Sequence, residues 1–304
     1  MMFSLQRKHR TILPVNKEAL HTEKSAGRQI FSYGTQNQKE EYHMNYQVFD
    51  MHVHVFPDVI AKKAATSTGE YYGVPMYADG TWVAFQDSLS REPRIRKSLI
   101  HSTATKAAQV EHVNDFVASL ISDTRLGFGS MHAEYPNIEK EIDRMLSIGL
   151  RGIKLHPDFQ GFAADSEEAF RIYAYAEGKL PVLFHVGDPK SDLSSPKRIR
   201  RIHDAFPRLT IIAAHLGGYG VWEESEKYLV GQDVYFDTSS CLEWMEREQA
   251  VRMIRKHGTD RCLFGTDFPM HNPTACIENV LALGLSIKDN QKIFWENAHK
   301  LLRL

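Results

Sequence analysis

Phe49-Asp50-Met51-His52-Val53-His54 is the stretch on which the reading of this chain turns. On an extended strand, residues two apart point to the same side. His52 and His54 therefore offer two imidazoles to one point in space. A lone His-x-His pair is a weak signal, but here it opens a series. Phe184-His185, Ala214-His215 and Thr266-Asp267 each close a short apolar, strand-like run. Several imidazoles and a carboxylate are the donors that borderline divalent metals such as zinc favour.

Outward from Met44, β-branched or aromatic runs alternate with longer stretches of helical period. The expected strands are Gln47–His54, Ser98–Ser102, Leu126–His132, Gly152–His156, Pro181–Val186, Thr210–His215, Val234–Thr238 and Cys262–Asp267. Ile138–Ile148, Ser166–Glu177, Pro196–Phe206 and Gln249–His257 have room for helices between them. Eight strand–helix repeats over about 260 residues suit an α/β fold, the (β/α)8 TIM barrel of typically ~250 residues. An open doubly wound sheet needs a phosphate-cradling glycine motif after its first strand, and none is present. In a barrel the carboxyl ends of all strands meet on one face, so the metal site is expected there. Alternation groups Leu183 with His185, Ile211 and Ala213 with His215, and Leu263 and Gly265 with Asp267 as inward sets. Lys154 and His156 share a face of strand 4.

Residues 44–304 thus form one barrel domain. Residues 1–43 are polar and aperiodic, and read as a poorly ordered extension, with Met44 as a natural alternative start. Glu18, Glu23, Glu40 and Glu41 speak against an organelle-targeting peptide there. Residues 57–96 are long for a first strand-to-helix connection and carry Tyr71, Tyr72, Pro75, Tyr77, Gly80 and Trp82. Such an insertion reads as a substrate lid, an oligomer contact or a packed surface excursion.

Across 304 residues, 37 Lys and Arg face 38 Asp and Glu, a formal net charge of -1. That balance supplies no general field for nucleic acid or an anionic membrane. Cys241, Cys262 and Cys276 form no Cys-x-x-Cys pair, which argues against a disulfide framework and for a reducing compartment. No apolar run approaches the ~20 residues of a membrane span, and no signal-peptide core opens the chain. The expected location is the cytoplasm.

Five pieces in strand order carry a family resemblance: Asp50-Met51-His52-Val53-His54, Gly152-Ile153-Lys154-Leu155-His156-Pro157, Pro181-Val182-Leu183-Phe184-His185, Ala213-Ala214-His215-Leu216-Gly217-Gly218 and Phe264-Gly265-Thr266-Asp267-Phe268-Pro269. With Trp295-Glu296-Asn297-Ala298 as a closing helix, residues 46–304 resemble the amidohydrolase superfamily, in its amidohydrolase-related branch (amidohydrolase family 2). The resemblance implies that His52, His54 and His185 are metal ligands. Asp267 would bind the ion or its water and act as general base. His215 would sit beside the metal, as a second-ion ligand or as a group polarising substrate. A divalent ion lowers the pKa of bound water from ~15.7 towards ~7, and a nearby carboxylate takes the released proton. Zn2+ is the expected ion, with Mn2+ and Co2+ as alternatives, and one ion is favoured over two.

Lys154 is read as a substrate anchor or a group supporting the metal ligands, in preference to the carbamylated bridge of two-metal relatives. His156 is a substrate-binding candidate, with a hydrogen bond to Asp158 as its structural alternative. Asp50 either faces inward or holds a ligand histidine, and Asp237 is a structural or supporting carboxylate. His132 and Glu134 stand in the same doubt as His156. The leading function is a metal-dependent hydrolase of a small-molecule amide, ester or lactone. The alternative is a decarboxylase or hydratase of the same family, with Lys154 or Arg94 meeting a substrate carboxylate. A nuclease like the TatD group needs a basic groove, and a scaffold without turnover does not need the full ligand set. A homodimer is the family's expectation.

Overall fold

The structure, a computed structural model, describes residues 46–304; the expected extension 1–43 and the Met44 start lie outside the described residues. Eight strands follow one another: β1 (Val48–His54), β2 (Ile95–His101), β3 (Arg125–Ser130), β4 (Ile153–Leu155), β5 (Val182–Phe184), β6 (Ile211–Ala213), β7 (Tyr235–Asp237) and β8 (Cys262–Leu263). Their spatial order equals their chain order, and every neighbouring pair is parallel. The last edge meets the first through the backbone. Met51 N–H donates to Phe264 O (2.9 Å), Asp267 N–H to His52 O (2.9 Å) and His54 N–H to Phe268 O (2.7 Å). The sheet is a (β/α)8 TIM barrel.

Parallel strands buried on both faces need apolar residues of both phases. Phe49, Met51, Leu99, Phe128, Leu183, Ile212 and Leu263 fill the interior. Ala298 and Leu302, from the closing helix Asn297–Leu302, join that cluster and seal the base. Ile153, Val182, Phe184 and Ile211 point outward, against Ile142, Ile172 and Ile199 of the surrounding helices. Helix Ile138–Ser147 shows how this works locally: Ile138, Ile142 and Met145 recur at helical spacing and all are buried. Burying each such side chain contributes about 1.5–3 kcal/mol. Helices Glu167–Ala176, Pro196–Ala205 and Arg247–His257 fall where the periodicity places them. Among the described residues, no helix is long and apolar enough to cross a membrane.

The strands stop earlier than expected. β5 ends one residue before His185, β6 two before His215, and β8 four before Asp267. The chain leaves the ladder by turning: His215 (φ 62°), Leu216 (φ 50°) and Asp267 (φ 57°) take left-handed conformations. This corrects the alternation at β6. Ile211 and Ala213 face the helices, while Ile212 and Ala214 face the interior, and His215 reaches the mouth through its turn. In β1, Phe49 and Met51 fill the interior out of phase with His52 and His54. The register against β2 shifts between Asp50 and Val53, and that irregularity re-aims the histidine pair.

Residues 57–96 hold two helices, α1 (Asp58–Tyr72) and α2 (Trp82–Arg91). α2 packs Phe85 against Val53, Ile100 and Phe268 and serves as the barrel's first outer helix. α1 ends at Gly73, whose φ of 71° only glycine adopts without strain, and brings Tyr71 and Tyr72 to the barrel mouth. Arg94 lies at the opposite end. Its carbonyl accepts from Val48 N–H (2.8 Å), and its guanidinium pairs with Glu92 and Glu278. The expected meeting of Arg94 with a substrate carboxylate is therefore overturned by position.

Candidate metal centre

At the mouth, His52 and His54 bring their Nε2 atoms to 3.3 Å, and Asp267 Oδ1 lies 3.4 Å from each. Asp237, at the end of β7, holds His52 Nδ1 at 2.9 Å, and the Ser239 hydroxyl lies 3.1 Å from the same nitrogen. A carboxylate on Nδ1 keeps the proton there and leaves the Nε2 lone pair for a cation. Gly265 makes room for this packing: a Cβ at that position would stand 2.8 Å from the Cβ of His52.

His185 meets the group through His215. Its Nδ1 lies 2.9 Å from His215 Nε2, and the His215 ring centre is 5.2 Å from that of His52. The other His185 nitrogen, Nε2, lies 2.9 Å from the carbonyl of Gly187 and 3.3 Å from the Tyr72 hydroxyl. An Nε2–H donating to Gly187 leaves Nδ1 as the ligating atom. The structure thus joins His52, His54 and Asp267 directly, and His185 at one remove.

Electrostatics favour a cation. Burial drives the pKa values of His54 and His185 well below 6.5 and that of His215 down to about 4, so their lone pairs are free at neutral pH. Burial raises the Asp267 carboxyl, but His52, His215, His54 and a 2.5 Å bond from the Ser240 hydroxyl outweigh it and hold it well below the usual carboxylate range. Asp237 is held low in the same way, burial being outweighed by His52, His215 and the Ser239 hydroxyl. Neutral imidazoles converging with an ionised carboxylate fit a divalent ion.

Lys154 is wholly buried, with Nζ 3.2 Å from His52 Nε2, and burial lowers its pKa to about 8 against the pull of Asp267 and Asp237. It lies beneath the imidazoles and does not line the cavity. His156 does line it, stacked between Phe159 (4.0 Å) and His185 (3.9 Å). Its Nδ1 is 4.0 Å from Asp158, too far for the hydrogen bond set against the substrate-binding reading. Asp50 is a brace: it accepts from His52 N–H, Thr266 N–H and the Thr266 hydroxyl, and burial raises its pKa to about 7. His132 bonds the carbonyl of Gln160, and Glu134 is exposed.

The sequence reading missed several groups. His101 ends β2, the same signal that marked the other histidines. Its ring stands 4.8 Å from His52 and 4.4 Å from His54, fully buried with neither nitrogen bonded to protein. Ser239 and Ser240 carried no signal, since a serine after a strand is ordinary. Tyr72 was noted only as part of an aromatic insertion; its hydroxyl lies 3.2 Å from His156. Above the cluster opens a cavity of about 750 Å³.

The fold has relatives among solved structures. An uncharacterized TIM-barrel protein from Bordetella bronchiseptica superposes with a TM-score of 0.68 at 18% identity, covering 84% of this chain and 98% of that one. Dihydroxybenzoic acid decarboxylase from Polaromonas sp. JS666, with bound manganese and 2-nitroresorcinol, gives 0.66 at 16% identity, over 85% and 97%. 5-Carboxyvanillate decarboxylase from Novosphingobium aromaticivorans, complexed with manganese, gives 0.65 at 17%, over 86% and 97%. At these identities the likeness is one of fold. No curated protein matches in sequence. The amidohydrolase family model (Amidohydro_2) matches residues 49–304, from the first strand to the last residue, and the chain belongs to that family.

Proposed function

We propose that this chain is a metal-dependent hydrolase of a small-molecule amide, ester or lactone, working with one divalent ion held by His52, His54, His185 and Asp267. The observation that carries the reading is the placement of Asp267 Oδ1 3.4 Å from both histidine Nε2 atoms, beneath a cavity of substrate size. When bound, the ion supplies Lewis acidity and an acidified water. Asp267 keeps Oδ2 on Ser240 and turns Oδ1 to the centre, where it takes the proton of the attacking water and returns it to the leaving group. His215 keeps its proton on Nδ1, 3.0 Å from the Ser239 carbonyl, and turns the Nε2 lone pair toward the centre beside His185, where it is a further donor to a cation. Lys154 holds positive charge beneath His52, and His156 and Tyr72 position the substrate from above.

A second reading, metal-dependent decarboxylation, is favoured by the manganese-bound decarboxylases among the similar folds. One experiment tests both. Protein loaded with zinc, manganese or cobalt is offered lactones, esters and amides, and separately hydroxybenzoates with carbon dioxide release as readout. Hydrolysis is expected, with Asp267→Asn lowering kcat by about 10²–10⁴-fold and His52→Ala losing the ion by elemental analysis. Carbon dioxide release without hydrolysis establishes the second reading. Protein that binds no metal defeats both.

A further inference from the structure

We infer that His101, at the end of β2, is a further ligand of the divalent ion; the inference rests on the metal centre of the proposed function, and not on what the ion does to a substrate. None of the motifs that carry the family resemblance includes this residue. Its aim follows from strand alternation. Leu99 fills the barrel interior and Ile100 packs outward with Val53, Phe85 and Phe268, so His101 points inward again. It pairs in register with His54 of β1. His101 thus flanks the histidine pair on the β2 side, as Asp267 flanks it on the β8 side.

The spacing is that of ligands sharing one ion. With bonds of about 2.1 Å, imidazoles set about 90–110° apart on an ion hold their ring centres about 4.5–5.2 Å from one another. The centres lie 5.2 Å apart for His52 and His54, 4.8 Å for His52 and His101, and 4.4 Å for His54 and His101. Each of the three can offer one nitrogen, and those three nitrogens lie within 4.8 Å of one another. Burial supplies the second observation. His101 is fully buried, and among the described residues neither of its nitrogens has a hydrogen-bond partner. Buried polar atoms are nearly always paired, and the buried histidines with structural duties here obey that rule. His132 bonds the Gln160 carbonyl, and His257 bonds Val234 O and Gly231 N–H. His101 instead presents its ring to the imidazoles of His52 and His54, at interplanar angles of 73° and 89°. A lone pair that no protein donor meets, set among three metal-binding side chains, is a coordination position. A neutral imidazole fills it without reducing the charge on the ion.

The test reads metal binding, not turnover. A crystal structure of the full-length protein loaded with Zn2+ is expected to place one His101 nitrogen about 2.1 Å from the ion, and a separation beyond about 3 Å overturns the inference. Two variants read the same bond in solution. His101→Phe keeps an aromatic ring without a donor atom, and His101→Leu removes the ring. Both are expected to weaken Zn2+ binding at least about 100-fold by competition with a chelator, beyond the about 10–100-fold of a group that only supports a ligand. A smaller loss in His101→Phe assigns the residue to packing and overturns the inference. The metal-free variants are expected to melt no lower than the parent, because an unpaired buried imidazole has been removed. If neither variant folds, the distance in the loaded parent protein decides. Hydrolysis is scored separately. An ion bound through His101 in a protein that hydrolyses no lactone, ester or amide costs only the hydrolase reading. Hydrolysis by a protein whose ion stands away from His101 costs only this inference, and a protein that binds no Zn2+ overturns both.

Discussion

His52 has a lone pair to give because Asp237 holds the proton on its other nitrogen, 2.9 Å away. Asp237→Asn removes the charge and permits the opposite tautomer. It is expected to weaken metal affinity about 10–100-fold, read by competition with a chelator, while the fold persists. Gly265→Ala crowds the same residue, since the added methyl would stand 2.8 Å from the His52 Cβ and 3.5 Å from Asp237 Cγ. Metal affinity is expected to fall there too, with a loss of about 1–3 kcal/mol in stability by chemical denaturation. At this scale much of the site was legible. His52, His54, His215 and Asp267 carry donor atoms on a strand or just past one, and donor type plus position is visible in a sequence. The hydroxyls of Ser239 and Ser240 are set by backbone turns, which leave no mark in residue type. His101 carried the strand-end signal and was passed over because it has no neighbouring motif.

Individual elements obey simpler rules, and one of them titrates. Helix Arg247–His257 ends on a histidine stacked 3.9 Å from Phe236 of β7. Its Nε2–H donates to Val234 O (2.9 Å), and its Nδ1 accepts from Gly231 N–H (3.2 Å). Burial lowers its pKa to about 4, and a proton on Nδ1 breaks the Gly231 bond. The unfolded chain therefore binds more protons between about pH 6.5 and 4, and this contribution to stability is lost as pH falls through that window. His257→Gln is expected to flatten the acid limb of a Tm-against-pH curve, by up to about 3 kcal/mol, while lowering Tm at pH 8. An unchanged slope would sink this assignment. The helices were readable because a 3.6-residue period survives in sequence. The strand ends were not, because left-handed turns at His215 and Asp267 release the chain before the functional residue.

For the whole molecule, closure of the barrel decides stability. Asn297 ties the closing helix to β8, its amide donating to the carbonyls of Thr259 and Cys262 at 2.7 Å each. Asn297→Ala removes both bonds, leaving the Thr259 carbonyl with only the Cys262 N–H, and is expected to cost about 1–3 kcal/mol, seen as a lower Tm. The fold itself was legible because eight repeats of one pattern leave few topologies. The phase of β1 and β6 was not, since a register shift and a left-handed turn change which face is inward after the pattern has been set. The sealed base has its own consequence. Among the described residues, Ala298 and Leu302 fill the bottom of the barrel, and a molecule that enters past Tyr71 and Tyr72 meets no back door there. On the proposed hydrolase reading, reactant and spent product would share one corridor, and each departure would precede the next arrival.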